Sequence, residues 1–369
     1  MNPCPTACTR GTGRYAPAAA RIARLLVPLL LLTPALDVAG QQLDWPEGEV
    51  YTGTFSIAAV DAETGEIGIA VTSRVPCVGN LVPHVKVGVG AVATQALVRV
   101  EYGAELLGRL EAGVPPQDAL RQAMAQDEDA ALRQIGVIAA DGRSAQHTGR
   151  TTLPWAGHRA GRDYVAQGNV LVDAGVLNAM VRRFEETAGS GRRLGERLIE
   201  ALAAGDHAGG DRRRGALQSA ALLVSDPRPG RTTRPDAVAV DLEICESVDP
   251  VSELERVYNT VTGDLGHRTL QQFHGPDVVQ LKVILHALGF FRRGEPDVRM
   301  ELAAPFYDQE IVSAVNAFRD AHELSGPLDG SPPGLVDQET VELMWRELEQ
   351  RGLAADVRRR IRDLTRPRY

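Results

Sequence analysis

From Thr54 to Val60, and again from Glu66 to Ser73, apolar β-favouring residues run almost without a break, with Asp61-Ala62-Glu63-Thr64-Gly65 between them. Two such runs around a short polar segment containing glycine predict a β-hairpin. A third run, Val82 to Thr94, carries Gly88 and Gly90. The period then changes. Tyr102 to Ala112 and Pro116 to Gln126 place apolar residues three and four apart, which predicts two amphipathic helices. Pro116 suits the first turn of the second. Ile135 to Asp141 reads as a strand closed by the turn Asp141-Gly142, Val176 to Thr187 and Leu194 to Ala204 as helices, and Ala216 to Val224 and Ala237 to Val240 as strands. Strands, two helices, strands, two helices, strands is an α+β order. It fits helices packed outside two stacked sheets, a four-layer αββα sandwich.

Beyond Val248 the Gly/Ala/Val-rich chain gives way to charged helical segments. Residues 249–272 read as a helical connector, with Val251, Leu254 and Val257 on one face. Residues 273–352 read as a second, all-α domain of three short helices. The first carries Val278, Leu281, Ile284, Leu285 and Leu288 on one face and ends at Gly289, which suits a C-cap. Ile311 to Phe318 gives the second. Asp337 opens the third, with Val341, Met344 and Leu348 behind it. The arginine-rich residues 353–369 read as a basic tail of solvated charge.

The first 40 residues add a location. Arg10, Arg14, Arg21 and Arg24 precede and flank an apolar stretch, Leu25 to Leu32, and Val38-Ala39-Gly40 supplies small residues for a cut. This reads as a secretory signal peptide, too short to span a membrane, and places the mature chain in the periplasm, outside the cell or at the wall. The leader holds four arginines and one acid, so its loss takes the net charge from -8 to about -11. Such a chain should not seek nucleic acid. Cys77 and Cys245 remain after export. They are able to pair in an oxidising compartment, but nothing in the sequence requires it. The sequence offers no metal motif, no GxSxG elbow and no phosphate loop, so no cofactor or metal is expected.

Candidate chemistry begins at Gly53-Thr54. A threonine after glycine, at the head of a strand, suits a residue that becomes a new amino terminus. A free α-amine titrates near pH ~8 and can act as base for its own hydroxyl. Ser56 shares Thr54's strand face and Cys77 carries a thiol, but no glycine junction precedes either. Signal cleavage near Gly40 leaves Gln41 as the terminus, so 41–53 would be a propeptide and Thr54 needs a second cut.

The runs at 54–60 and 65–74, with Gly90-Ala91-Val92-Ala93-Thr94-Gln95, resemble a proteasome-type N-terminal-nucleophile hydrolase. The closer resemblance, over roughly 53–245, is to the bacterial domain-of-unknown-function 1028 family. It rests on 88–96, His147-Thr148-Gly149, Ala166-Gln167-Gly168-Asn169, Gly209-Gly210-Asp211 and Gln218-Ser219-Ala220-Ala221. The resemblance implies residues 54–248 as the hydrolase-like domain, Gly53 as the processing junction and Thr54 as nucleophile. Lys86 would tune the amine, and Gly90 would supply an oxyanion N–H. Asp211 would orient the amine. Lys86 and Gly90 are only four residues apart, and Thr72 stands where the superfamily has an aspartate. Gln95, Asn169 and Ser219 are polar residues at strand ends suited to a polar substrate, and His147 and His158 bracket Trp155 in a loop able to line a pocket.

Residues 278–290, 311–318 and Gly334-Leu335-Val336-Asp337-Gln338-Glu339-Thr340 resemble a peptidoglycan-binding domain. Together the resemblances imply an exported N-terminal-threonine hydrolase, cleaving an amide or related C–N bond of a small molecule or peptide, with a module that binds peptidoglycan. The alternative is a non-catalytic wall-binding protein on a degenerate hydrolase fold. The substrate, and whether copies associate as a homo-oligomer, stay open.

Overall fold

The structure, a computed structural model, describes residues 53–211, 217–265, 274–294, 298–324 and 332–365. The proposed leader and nearly all of the proposed propeptide lie outside the described residues. So do residues 212–216, which follow Asp211, and the Asp329-Gly330 pair.

The fold is α+β, built on two antiparallel sheets. The first hairpin is the one expected: β1 (Thr54–Val60) pairs with β2 (Ile67–Ser73), from Val60↔Ile67 at the turn to Thr54↔Ser73 at the open end. Asp61 holds the turn, its carboxylate accepting from the N–H groups of Glu63 and Thr64, and Gly65 takes the positive φ of 73° that closes it. The run at 82–94 is itself a hairpin, β3 (Pro83–Lys86) and β4 (Gly90–Ala96). Helices α1 (Glu101–Glu111) and α2 (Pro116–Ala125) follow, then strands β5 (Arg133–Ala139), β6 (Ser144–Thr148), β7 (Gly157–Gly161) and β8 (Tyr164–Asn169). Helices α3 (Gly175–Glu186) and α4 (Leu194–His207) lead to β9 (Gln218–Ser225) and β10 (Val238–Ser247). One sheet has the order β10-β9-β2-β1-β8-β7 and the other β3-β4-β5-β6.

Every residue of β1 is buried, because the strand is covered on both faces. Side chains alternate along a strand. Phe55, Ile57 and Ala59 join Leu198, Leu202 and Met180 under α3 and α4, while Ala58 and Val60 join Ala91, Ala93 and Ile138 of the other sheet. On that sheet's far side Val92, Ile135 and Val137 pack against Tyr102, Leu106 and Leu120 of α1 and α2. Thr54 and Ser56 share the parity of Ala58, so their side chains face the space between the sheets.

Two expectations for the second half need correction, one residue of the connector's buried face and the basic tail. The connector holds the helix α5 (Pro250–Thr262), which docks on β9 and β10 with Val251, Leu254 and Tyr258 in the helix–sheet core. Its buried face uses Tyr258 where spacing alone suggested Val257. The solvated basic tail is a helix. In α10 (Ala354–Leu364) Val357 and Ile361 are buried with Leu281 and Met344, and Arg362 is buried between Asp61 and Glu63, both at 3.5 Å. Arg358, Arg359, Arg360 and Arg362 are four of the helix's eleven residues, which is why composition alone read as charge. Together α10, α6 (Pro276–Leu288), α7 (Arg299–Ala303), α8 (Gln309–Ala321) and α9 (Gln338–Gln350) enclose one apolar core. Gly289 is the left-handed C-cap of α6, and Asp337 caps α9 by accepting from the N–H of Thr340.

Cys77 and Cys245 form a disulfide across 168 residues of sequence. It ties the loop after β2 to β10. A closed loop of that length restricts the unfolded chain strongly, so Cys77→Ser should cost about 2–5 kcal/mol. Urea titration of the wild type with and without reductant, beside the variant, checks this, and reductant should not move the variant.

Candidate functional site

The head of β1 lies between two partners. Thr54 pairs with Ser73 of β2 on one side and with Asn169 of β8 on the other, and paired residues share a face. The Thr54 Oγ1 lies 2.9 Å from Ser73 Oγ. Ser73 in turn donates its hydroxyl to the Gly53 carbonyl oxygen at 2.9 Å, and the Arg74 backbone N–H reaches the same oxygen at 3.4 Å. With its own proton committed to Gly53, Ser73 accepts from Thr54 and, at 3.2 Å, from the N–H of Val75. Two donors therefore converge on the carbonyl of the Gly53–Thr54 peptide, with the threonine hydroxyl alongside.

Beneath this junction a buried amide network joins the two sheets. Gln95, at the end of β4, accepts from Ser56 at 2.7 Å and donates to the Thr54 carbonyl at 3.1 Å. It also donates to Gln134 Oε1, as does Asn169, at 2.9 and 3.0 Å. Gln134 passes its own N–H bonds to the Gly168 and Gly157 carbonyls and to Thr148. Gln95 and Gln134 are fully buried, and in such surroundings the loss of one member leaves its partners unpaired. The network fixes where the head of β1 sits against the second sheet.

Asp211 belongs to the same end. It bridges Leu171, two residues beyond Asn169, and lies 3.8 Å from the Arg74 guanidinium. Thus Gly53, Thr54, Gln95, Asn169 and Asp211 lie at one end of the sheets. Ser219 is adjacent to Ser73 in register, but its hydroxyl is engaged with the backbone of the 73–78 loop: it accepts from Val78 N–H and donates to the Val75 carbonyl. It braces that loop instead of facing a substrate.

Lys86 and Gly90 are not at this site. They pair with each other at the far end of β4, five residues from Gln95 and so roughly 17 Å along the strand. Lys86 is solvent-exposed and ion-paired with Glu111 at 2.6 Å. Gly90 is required by packing: a Cβ there would fall 2.3 Å from the Ile138 carbonyl oxygen and 2.9 Å from Leu110. Lys86→Ala should leave any cleavage at Gly53–Thr54 within about twofold of the wild-type rate, since an exposed pair contributes little. A processing time course on denaturing gels checks it.

The other candidate nucleophiles are also placed. Ser56 is buried and bonded to Gln95, and Cys77 is in the disulfide. His147 and His158 sit on β6 and β7 and not in a loop, His147 against the Ala130 carbonyl and His158 against Thr148. Burial and the neighbouring Arg159 hold His158 below its usual pKa. Among the described residues one group of three metal-ligand types, Cys77, Glu243 and Cys245, lies together, and both of its sulfurs are in the disulfide. No described helix is long and apolar enough to cross a membrane. Ser73 and Gln134 are the residues that sequence reasoning missed. The hairpin register contains the signal for Ser73: pairing Val60 with Ile67 puts Ser73 opposite Thr54. Gln134 carries no comparable local signal.

The α+β fold, with its buried polar site at one end of the paired sheets, matches a known family. The model of the family of unknown function DUF1028 matches residues 54–254, and the chain belongs to that family. A crystal structure of a DUF1028 protein from Silicibacter pomeroyi is similar at 34% identity and a TM-score of 0.51, over 57% of this chain and 86% of that one. No curated protein matches the chain.

Proposed function

We propose that this protein is an exported N-terminal-threonine hydrolase with Thr54 as nucleophile, acting on an amide or related C–N bond. The observation that carries the reading is the double hold on the Gly53 carbonyl by Ser73 Oγ and Arg74 N–H, with Thr54 Oγ1 bonded to the same serine. The succession of helix, sheet, sheet and helix cores supports the four-layer αββα arrangement of N-terminal-nucleophile hydrolases. The disulfide supports export, since such bonds persist in oxidising compartments.

In self-processing, Thr54 Oγ attacks the Gly53 carbonyl carbon, its proton passing to Ser73 Oγ as Ser73 hands its own proton to the Gly53 oxygen. Negative charge building on that oxygen is met by the two donors that already hold it. The adduct then collapses: the Gly53–Thr54 C–N bond breaks, the oxygen's proton moves to the Thr54 nitrogen, which is freed as an amine, and an ester to Thr54 Oγ remains. Water hydrolyses the ester, releasing the propeptide and restoring the Thr54 hydroxyl. That amine then deprotonates the same hydroxyl for attack on a substrate carbonyl seated where Gly53 had been. Ser73 and Arg74 thus take the oxyanion role that Gly90 does not fill, and to Asp211, ion-paired with Arg74, we assign the orienting of the amine. Gln95 and Asn169 hold the strand heads in place.

Thr54→Ala should retain the propeptide and form no acyl adduct, whereas Thr54→Ser should still process; intact-mass spectrometry reads both. For the helical region we propose attachment to peptidoglycan, supported by the 334–340 block and its Asp337 cap. The full chain should sediment with purified sacculi. Failure to do so removes this part alone.

A further inference from the structure

Beyond the ends of β4 and β8, one rung from Thr54, lies a small pocket walled by Ala96, Leu97, Leu132, Leu153, Asn169 and Val170. Its position follows from the strand ends. Ala96 comes directly after Gln95, which bonds the Thr54 carbonyl, and Asn169 is the rung partner of Thr54. The polar groups in its wall are already engaged: Thr151 and Thr152 donate to the Ala131 and Arg133 carbonyls, and the Asn169 amide to Gln134. No charged side chain lines it, so it presents mostly carbon, and its volume of about 10 Å³ admits only a very small group.

Two wall residues are in unusual backbone conformations. Ala96 has φ 69° and Val170 φ 55°. The left-handed region is costly for any residue with a Cβ and most of all for a β-branched one. Backbone bonds hold the segments there, Val170 N–H to the Leu153 carbonyl and Leu97 N–H to the Leu132 carbonyl, both at 3.2 Å. Strain of this kind concentrates where the chain lines functional sites.

We infer that this pocket receives the side chain on the acyl side of the scissile bond, and that it selects a small aliphatic group of alanyl size. This rests on Thr54 as nucleophile. With the acyl carbonyl held by Ser73 and Arg74 on the β2 side, the open side for its side chain is toward the ends of β4 and β8. A charged side chain would find no counter-charge there, and a large one would meet Leu153 and Leu132.

The test uses the mature protein and N-acetyl-aminoacyl p-nitroanilides bearing Ala, Leu, Phe, Asp or Lys, with rates and intact mass both recorded. The alanyl compound should be turned over best. The leucyl compound should be about tenfold slower in kcat/KM, and the phenylalanyl and charged compounds about a hundredfold slower. Leu153→Ala, with Leu132→Ala as a second enlarging variant, should raise the leucyl-to-alanyl ratio about tenfold. An adduct on Thr54 that forms as well with Asp, Lys or Phe as with Ala overturns the pocket assignment and leaves the nucleophile standing. The same holds if neither enlarging variant shifts the ratio. No adduct with any compound overturns both.

Discussion

Ser73→Ala is expected to slow cleavage at Gly53–Thr54 by about 10²–10³-fold while leaving the protein folded. The serine makes two contacts that bear on the reaction: it donates to the Gly53 carbonyl oxygen and lies against the Thr54 hydroxyl, both at 2.9 Å. Removing one donor aimed at a developing oxyanion costs on the order of 10²–10³ in rate. The backbone N–H of Arg74 remains in the variant, so the loss is incomplete. Truncation takes a partner from the buried Thr54 hydroxyl and from the Val75 N–H, so stability should fall by about 1–3 kcal/mol, well short of unfolding the chain. Ser73→Thr restores the hydroxyl and should recover most of the rate. Precursor and mature bands over time after refolding or expression give the comparison. Wild-type processing in Ser73→Ala would remove the serine from the mechanism.

Deleting residues 354–369 is expected to destabilise the whole chain and not merely trim a tail. Val357 and Ile361 of α10 are buried in the helical core, each worth about 1.5–3 kcal/mol. The same helix ties that core to the two-sheet domain. Arg362 reaches Asp61, Glu63 and the Arg192 carbonyl, and the Thr365 carbonyl accepts from Arg231. A combined loss of about 3–6 kcal/mol should lower Tm by roughly 10 °C or more for a chain of this size. Arg362→Ala should cost less, about 1–3 kcal/mol, since it leaves the apolar contacts and Asp61 keeps its turn bonds. Circular dichroism melts of the three proteins separate the contributions. An unchanged melt for the deletion would mean that α10 does not pack as described.

What was legible in the sequence divides by range. Hairpins and amphipathic helices are local patterns, so β1–β2, α1 to α4 and the caps at Gly289 and Asp337 could be read from spacing. The short edge strand β7, with Gly157 and Gly161 at its ends, has no apolar run to announce it. The helix α10 was hidden by its own arginines. In the site, Thr54 and Asn169 fall together because both stand at strand ends on a shared rung. Lys86 and Gly90 were misplaced because a single run fixes only the order of residues, not which end of β4 meets the head of β1. That is decided by how one sheet stacks on the other, through Gln95, Gln134 and Asn169, residues 35 to 39 positions apart. The pairing of Cys77 with Cys245 is non-local in the same way.

The central claim is that Thr54 becomes an amino terminus. Intact-mass measurement of the protein purified from its native host, with N-terminal sequencing of the same sample, tests this most directly. The mechanism predicts a mature chain beginning at Thr54, and a longer chain retaining 41–53 in Thr54→Ala. A homogeneous terminus near Gln41 in material that hydrolyses substrate would contradict it.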